Sequence, residues 1–375
     1  MRTRDGKKEK EYLQVEAVYR AFQSSGRRHL LLTGSRGAGK TTLIDKMLSR
    51  IPEGECDGLK STLHPGQEVV LRDPLTGREA VIGTWNACAE RSYMEVNPSG
   101  FLQLGGEVLD RAIQGNRQWF VIDEIGFLET SVPQYCAQIL KLMEKKRLLA
   151  AVRKQELPFL KALVEREDAL VIDLDEPFGQ MGCVIMASGL GKRFGGNKLL
   201  ADFDGESLIS KALESTDGFF AKRVVVTRSE DTAHFCRERG VEVILHEKPL
   251  RSDTVRIGIQ SMGEEITHCM FLPGDQPLLG RETVQALALA ARSDSCHIYR
   301  LRFCDRVGAP VVFPKAWFAE LERLPAGKGG GYLAAMYPDR VAYVWASKEE
   351  ELEDVDSRED LERLINIYQK EEYEK

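Results

Sequence analysis

Short apolar runs and helical spacings alternate along the first half of the chain. Runs of strand length occur in RHLLLTG, QWFVIDE, LLAAV and ALVIDLD. Between them lie segments with helical periodicity, among them TTLIDKMLSRI and PQYCAQILKLMEKKR. Residues 68–87 contain two β-rich runs around a Pro/Gly turn, which predicts a hairpin. Strands that alternate with helices predict a mostly parallel α/β sheet.

The same pattern restarts after an acidic segment at 173–181 that Pro and Gly interrupt. The restart begins with the strand-like GCVIMASG and continues with alternating helices and strands. It ends in an antiparallel pair, HIYRLRF and GAPVVF, and a final helix that Ser357 and Asp360 begin in the manner of a capping box. We therefore predict an α/β protein of two domains, residues 1–175 and 176–375.

Composition narrows the functions that such a chain can have. The 375 residues carry a net charge of −6, which disfavours sequence-independent binding to nucleic acid. No apolar run approaches the roughly 18 residues that span a bilayer, and the basic N-terminus lacks the apolar core of a signal peptide. The eight cysteines form no CxxC pair, so we expect most to be reduced core residues of a cytoplasmic protein.

The first candidate site is GSRGAGKTT at 34–42, which fits G-x-x-x-x-G-K-[ST] between a strand and a helix. Loop N–H groups and the helix N-terminus attract phosphates. Lys40 would contact the β- and γ-phosphates, and the Thr41 hydroxyl would bind Mg²⁺. The residues expected to bind the nucleotide are Gly34, Gly37, Gly39, Lys40, Thr41 and Thr42.

An apolar strand that ends in two acids follows about eighty residues later. In Phe120–Glu124, the carboxylate of Asp123 would hold Mg²⁺ together with Thr41, and Glu124 would orient or deprotonate the attacking water. The glycine loop, the DEIG sequence at 123–126 and the segment from LLAAV to VIDLDE resemble the thermophilic-type P-loop nucleoside triphosphatases over about residues 25–175. The resemblance implies hydrolysis of ATP or GTP with Mg²⁺.

A second glycine loop, MASGLGKRFGGNKLL at 186–200, has a different spacing. Position 186 is Met where a P-loop needs Gly, and Arg193 stands where a P-loop needs Ser or Thr. A G-x-G followed by Arg193 and then Lys198 suits a more open loop along a triphosphate. Arg193 would hold the β- and γ-phosphates, and Lys198 would neutralise charge that develops on the α-phosphate. This arrangement favours nucleotidyl transfer.

Two aspartates are candidate Mg²⁺ ligands for this second site. Asp275 follows a predicted strand in FLPGDQP, where open α/β sheets place their ligands. Asp356, in DVDSRED, is the second candidate. Alternatives remain open, because Asp275 could stabilise a turn and Asp356 could face the dipole of the last helix.

The second half is similar to the molybdenum-cofactor nucleotidyltransferases over about residues 182–366. The similarity rests on MASGLGKRFGGNKLL, PGDQPLL, SDTVRIG, GAPVVF and DVDSREDL, in that order. It implies a Rossmann-like, GT-A-like fold, nucleotide contacts from Ala187, Gly189, Gly191 and Ser252, and catalysis by Arg193, Lys198 and Asp275. PGDQPLL indicates the cytidylyltransferase branch, which joins CMP from CTP to the terminal phosphate of molybdopterin.

Together these patterns predict a bifunctional protein of molybdenum cofactor maturation with two Mg²⁺ sites. A molybdenum hydroxylase would be the partner that receives the cofactor. Transfer of GMP, or transfer of a nucleotide to another small phosphate, remains an alternative. A nucleotide-gated cofactor carrier without transferase turnover is an alternative of another class. A P-loop kinase is disfavoured, because the sequence shows no cluster of lid arginines.

Overall fold

The computed structural model describes residues 13–64, 68–87, 92–189, 191 and 193–374, which form two compact units. The P-loop unit comprises residues 26–177. The C-terminal unit comprises residues 178–375 together with the segment that ends at Ser25. The predicted boundary at 175/176 lies two residues from the observed one.

The placement of the first helix corrects the predicted division. Helix α1 (Val15–Ser25) packs against α11 (Arg281–Arg292) and therefore belongs to the C-terminal unit. Its apolar stripe, which includes Val18 and Phe22, is buried there. An amphipathic helix packs where another surface covers its apolar stripe, and the position of the helix in the sequence does not identify that surface.

The P-loop unit contains one eight-stranded sheet in the order β5-β4-β3-β2-β6-β7-β1-β8. Strands β2, β6, β7, β1 and β8 pair in parallel, and β3, β4 and β5 continue the sheet antiparallel. The predicted hairpin at 68–87 is confirmed as β3 and β4, whereas β2 and β5 were not predicted. The strands are β1 (His29–Thr33), β2 (Cys56–Leu63), β3 (Glu68–Arg72), β4 (Glu79–Ala87), β5 (Ser92–Val96), β6 (Trp119–Ile125), β7 (Arg147–Val152) and β8 (Ala169–Asp173).

The helices of this unit cover the parallel part of the sheet, so strands such as β7 are buried on both faces. The α-helices are α2 (Lys40–Leu48), α3 (Pro98–Gly100), α4 (Gly106–Gln114), α5 (Phe127–Thr130), α6 (Pro133–Lys145) and α7 (Pro158–Val164). A π-helical turn, Phe101–Gly105, joins α3 to α4.

The C-terminal unit contains a mixed seven-stranded sheet in the order β13-β12-β9-β14-β16-β15-β17. Strand β16 runs antiparallel to both β14 and β15, which confirms the predicted antiparallel section. Strands β10 and β11 form a separate pair. The strands are β9 (Met181–Ala187), β10 (Asp202–Phe203), β11 (Glu206–Ser207), β12 (Lys222–Thr227), β13 (Glu242–Leu245), β14 (His268–Pro273), β15 (Ile298–Phe303), β16 (Arg306–Pro314) and β17 (Val341–Trp345).

Besides α1 and α11, the helices of this unit flank the sheet and close the chain. They are α8 (Leu208–Ser215), α9 (Glu230–Glu238), α10 (Arg251–Gln260), α12 (Phe318–Glu322), α13 (Gly330–Met336) and α14 (Arg358–Glu374). Four short 3₁₀ turns connect elements, at Lys198–Leu200, Lys315–Trp317, Pro338–Arg340 and Glu349–Leu352. Of the described helices, none has the length and apolar character needed to cross a bilayer.

Both sheets place candidate chemistry at the carboxyl ends of parallel strands. In the P-loop unit, the glycine loop follows β1, and Asp123 and Glu124 lie near the end of β6, two strands away in the sheet. In the C-terminal unit, the second loop follows β9, and Asp275 follows the neighbouring β14. Each pair of motifs therefore meets at one edge of its own sheet.

Candidate nucleotide sites

The first glycine loop turns directly from β1 into α2. Gly34, Gly37 and Gly39 all have positive φ angles, of 139°, 82° and 96°. Residues with a Cβ rarely adopt such angles, so the three glycines permit the turn. Helix α2 begins at Lys40, and its first N–H groups, with Thr41 and Thr42, stand at the loop.

The Lys40 side chain lies across this loop. Its Nζ donates to the carbonyl oxygen of Gly34 at 2.9 Å and to that of Ser35 at 2.8 Å. Burial lowers the pKa of Lys40, and the nearby positive charge of Arg153 lowers it further. The ammonium group therefore lies among backbone groups at the place where a phosphate chain would pass.

Thr41 and Asp123, the predicted Mg²⁺ pair, lie near each other. The Thr41 hydroxyl lies close enough to the Asp123 carboxyl to lower the pKa of that carboxyl. Burial has the larger effect and raises the pKa of Asp123, while the positive charge of Lys60 lowers it. A hydroxyl and one carboxylate suit Mg²⁺, which takes its remaining ligands from water and substrate phosphates.

Glu124 forms an ion pair with Arg153, which directly follows β7. On the other side of the loop, Asp175 accepts hydrogen bonds from the Ser35 N–H at 2.8 Å and from its hydroxyl at 2.6 Å. Sequence reasoning missed Arg153 and Asp175. Their position just after β7 and β8 was the available signal, because these strand ends share the edge that holds the glycine loop.

The second glycine loop begins at Ala187, the last residue of β9. Gly189 has open space around it, whereas a Cβ at Gly191, where φ is 57°, would collide with the carbonyl oxygen of Gly196. The loop thus closes on itself through a backbone contact that only glycine permits. Leu190 and Lys192 lie outside the described residues.

Lys198 is the centre of this second site. Its Nζ lies 2.6 Å from Asp275 Oδ2 and 3.2 Å from Asp356 Oδ1, and donates to the carbonyl oxygen of Val355 at 2.6 Å. Burial by itself would lower the pKa of Lys198, but the two carboxylates outweigh it, and the pKa is raised. Lys198 therefore stays charged although its own side chain is almost buried.

Arg193 reaches the same cluster from the loop. Its Nη2 donates to Asp356 Oδ2 at 2.6 Å, while three quarters of its side chain stays exposed. Asp356 directly precedes the predicted capping box of α14, in which the Asp360 N–H donates to Ser357 Oγ and the Ser357 N–H donates to Asp360. The cap orders the turn that carries Asp356.

Asp275 and Asp356 approach one cation from two distant parts of the sequence. The described residues contain no group of three or more His, Cys, Asp or Glu side chains arranged to hold a metal ion by themselves. Carboxylate oxygens that converge on one positive charge are nevertheless suitable ligands for Mg²⁺, which substrate phosphates complete. The residues present therefore fit that cation.

Comparisons with known proteins match both halves. Residues 29–177 match the family model described as NTPase, and residues 183–341 match the one described as MobA-like NTP transferase domain. The chain joins an NTPase domain to a MobA-like NTP transferase domain. Both resemblances predicted from the sequence, and the α/β fold class, are thereby confirmed.

Individual relatives cover one domain each. Nucleoside-triphosphatase THEP1 of Thermotoga maritima is 26% identical over 152 residues, which span 39% of this chain and 86% of that protein. A probable molybdenum cofactor guanylyltransferase of Aquifex aeolicus is 23% identical over 194 residues, 49% of this chain and 90% of that protein. A 3-deoxy-manno-octulosonate cytidylyltransferase of Chlorobium phaeovibrioides is 38% identical over 92 residues, 23% of this chain and 36% of that protein.

In the transferase domain, the predicted nucleotide contact Ser252 forms a hydrogen bond within the protein. It is buried in the first turn of α10, and its hydroxyl accepts a hydrogen bond from the Gly327 N–H at 3.1 Å. Its hydroxyl is thus engaged within the protein. The preceding residue, Arg251, is the one that lines a cavity.

That cavity, of about 510 Å³, is a feature of the transferase domain that the sequence did not reveal. Gln276, which directly follows Asp275, lines it, and so does Asp354, two positions before Asp356. Burial raises the pKa of Asp354 to about 6, and the negative charges of Asp275 and Asp356 add to the effect. Four cationic side chains share the wall, from Arg251, Arg300, Arg306 and Lys328. One helix, two strands and a loop contribute them, so no local motif marks the cavity.

Proposed function

We propose that the transferase domain moves CMP from CTP to the terminal phosphate of molybdopterin and releases pyrophosphate. The observation that carries this proposal is the cluster in which Lys198 joins Asp275 and Asp356, with Arg193 on Asp356. It combines a buried cation, an exposed cation and two carboxylates beside one glycine loop. Nucleotidyl transfer needs this set, because its transition state gathers negative charge at the α-phosphate and on the leaving pyrophosphate.

The chemistry needs positioning more than proton transfer. An oxygen of the acceptor's phosphate is already ionised; it forms a bond to the α-phosphorus while the bond to the β-phosphate oxygen breaks. Lys198 neutralises charge on the α-phosphate, and Arg193 binds the β- and γ-phosphates. Asp275 and Asp356 would hold Mg²⁺, which supplies Lewis-acid stabilisation of the phosphate oxygens.

The cationic cavity beside Asp354 supports a phosphorylated acceptor. Its four basic side chains outnumber the single carboxyl group among the lining residues, that of Asp354. Guanidinium groups bind phosphate in bidentate fashion. An acceptor phosphate in this cavity would lie next to Asp275.

We propose for the NTPase domain a supporting role in maturation or delivery of the cofactor to a molybdenum hydroxylase. Lys40 would bind the phosphates of ATP or GTP, Thr41 and Asp123 would hold Mg²⁺, and Glu124 would orient the attacking water. The motivation is the fusion of the two domains in one chain. If Lys40→Ala left cofactor delivery to the hydroxylase unchanged, this role would be wrong.

Two alternatives predict different products. Transfer of GMP would agree with the guanylyltransferase named among the relatives, which the chain covers over 90% of its length. A nucleotide-gated carrier would bind the finished cofactor without turnover, and it would release no pyrophosphate.

The deciding experiment incubates the full chain with molybdopterin and each labelled nucleoside triphosphate in turn. We expect a dinucleotide and pyrophosphate from CTP, and loss of both in Asp275→Asn. The exposed Asp339→Asn serves as the matched control and should keep full activity. If only GTP gave a dinucleotide, the transferred group would be GMP and not CMP. If no nucleotide gave pyrophosphate, the transferase proposal would be wrong and the carrier would be favoured.

A further inference from the structure

A cavity of about 700 Å³ lies beside Glu124 in the NTPase domain. Hydrolysis requires room for one water molecule, which occupies about 30 Å³ in the liquid. Cavities of roughly 300–1,000 Å³ bind whole small molecules. The space next to Glu124 is therefore much larger than a single attacking water molecule needs.

The far wall of this cavity is apolar and belongs to the antiparallel part of the sheet. Leu63 lies opposite Val69 across β2 and β3, and Trp85 lies opposite Met94 across β4 and β5. Directly opposite residues project from the same face of a sheet, so their side chains form a continuous surface. Gly83 lies on this face too, and a Cβ there would press on Leu128 and Met94.

Two aromatic side chains on this wall remain accessible. Trp85 is 40% exposed and Tyr93 is 49% exposed, and both line the cavity. Exposed large apolar groups around a concave surface indicate a binding site. Aromatic faces favour a planar ring as the occupant, because stacking adds to the burial of area.

The near end of the cavity carries positive charge. Arg36 of the glycine loop and Arg153 line it together with Glu124. Burial and the charge of Arg36 both lower the pKa of Arg153, so the two guanidinium groups lie near each other. The carboxylate of Glu124 neutralises only one of these two positive charges. Buried Glu129 also lines the cavity, and burial raises its pKa to about 7.

We propose that this cavity binds a planar aromatic molecule with an anionic group. The ring lies against Trp85 and Tyr93, and the anion lies at Arg36 and Arg153. A ligand so placed occupies the space beside Glu124 that the attacking water needs, so its binding lowers NTP turnover. The nucleoside of the hydrolysed NTP is the competing occupant, and the KM for NTP distinguishes the two.

Two fluorescent probes that differ in one charge test the proposal on the full chain. The first, 1-anilinonaphthalene-8-sulfonate, carries an anionic group, and the second, N-phenyl-1-naphthylamine, lacks it. We expect the sulfonate to bind at least 10-fold more tightly than the neutral probe, and this preference to disappear in Arg153→Gln. Equal affinities of the two probes for the unmodified chain would overturn the anionic half of the proposal.

Trp85→Ala tests the aromatic half, with Tyr93→Ala as a second variant in case the first does not fold. We expect each to weaken sulfonate binding at least 10-fold, with the KM for NTP unchanged and turnover no longer inhibited by the probe. Trp345→Ala, at an exposed tryptophan of the transferase domain, is the matched control and should bind like the unmodified chain. Unchanged probe binding in both variants would overturn the proposal. A several-fold higher KM for NTP would do so too, by assigning the cavity to the nucleobase.

Discussion

At the scale of single residues, the two lysines of the glycine loops differ in their surroundings. Lys40 donates only to backbone carbonyls, so a phosphate chain can replace its partners without separating an ion pair. Lys198 is held between two carboxylates. The first lysine thus suits a site that binds and releases nucleotide, and the second is a fixed part of a charged cluster.

Arg193 offers a test at this scale, because its guanidinium is exposed and its loss should not disturb folding. We expect Arg193→Gln to lower kcat/KM for pyrophosphate release about 10- to 100-fold, since hydrogen bonds to charged groups contribute about 1.5–3 kcal/mol. The melting temperature should not change. Steady-state kinetics with coupled pyrophosphate detection measures the effect.

The control for this variant is Arg340→Gln, another exposed arginine of the same domain. It should leave kcat/KM unchanged. An equal loss in both variants would show that net charge, and not the position of Arg193, is responsible.

At the scale of elements, strand β1 delivers the glycine loop and contains a fully buried histidine. The Nδ1 of His29 accepts a hydrogen bond from the Leu148 N–H of β7 at 3.1 Å, so it must be unprotonated. Burial lowers the pKa of His29 to about 4, although Asp168 opposes the effect. The pairing of β1 with β7 therefore depends on a neutral imidazole.

A pH dependence follows from this pKa. Between pH 6.5 and about 4, His29 binds a proton in the unfolded chain but not in the folded chain. The stability that is present above pH 6.5 is therefore lost as the pH falls. The loss approaches about 1.4 kcal/mol per pH unit. We expect His29→Asn, which keeps an acceptor for the Leu148 N–H, to abolish this loss of stability at low pH. Hydrogen exchange of β7 at pH 7 and pH 5, corrected for intrinsic rates, measures it.

His234→Asn provides the comparison, because His234 is exposed on α9. It should retain the pH dependence of the unmodified chain. The same slope in His29→Asn would contradict the assignment to His29.

Helix α1 gives a second prediction at this scale. Phe22 is buried, and Arg20 donates to Thr283 Oγ1 at 2.8 Å and to Ser347 Oγ at 2.7 Å, all within the C-terminal unit. Truncation of a buried Phe typically costs about 3–5 kcal/mol. We expect Phe22→Ala to lower the temperature at which transferase activity is lost and to leave that of NTP hydrolysis unchanged.

The exposed Gln23→Ala, in the same helix, should change neither temperature. If Phe22→Ala reduced the heat resistance of NTP hydrolysis instead, α1 would support the P-loop unit.

At the scale of the whole molecule, the two candidate nucleotide sites take their described contacts from different units. Every partner of Lys40 described above lies within residues 26–177, and every partner of Lys198 lies within residues 178–375. We therefore expect the two reactions to use separate sets of residues.

Crossed substitutions test this separation. We expect Lys40→Ala to reduce NTP hydrolysis at least 100-fold and to leave pyrophosphate release intact, and Lys198→Ala to do the reverse. Each variant is the control for the other, and assays of phosphate and pyrophosphate distinguish the reactions. Loss of both activities in either variant would contradict independent sites.

Much of both sites could be predicted from the sequence, because a glycine loop between a strand and a helix is a local feature. Spacing alone separated Lys40-Thr41 from Arg193 and Lys198. The acids Asp123 and Asp275 could be found because they end predicted strands. Arg153, Asp175 and Asp354 were missed, since each acquires its role only from neighbours distant in the chain.

Local chemistry determined the type of each loop, the order of most helices and strands and the family of each half, because backbone conformation and hydrophobic periodicity depend on nearby residues. Tertiary structure decided which unit α1 covers, that Asp356 shares Lys198 with Asp275 and that Arg36 meets Arg153 beside an aromatic cavity. These are contacts between residues up to hundreds of positions apart. They depend on strand order and helix packing, for which the sequence carries no local signal.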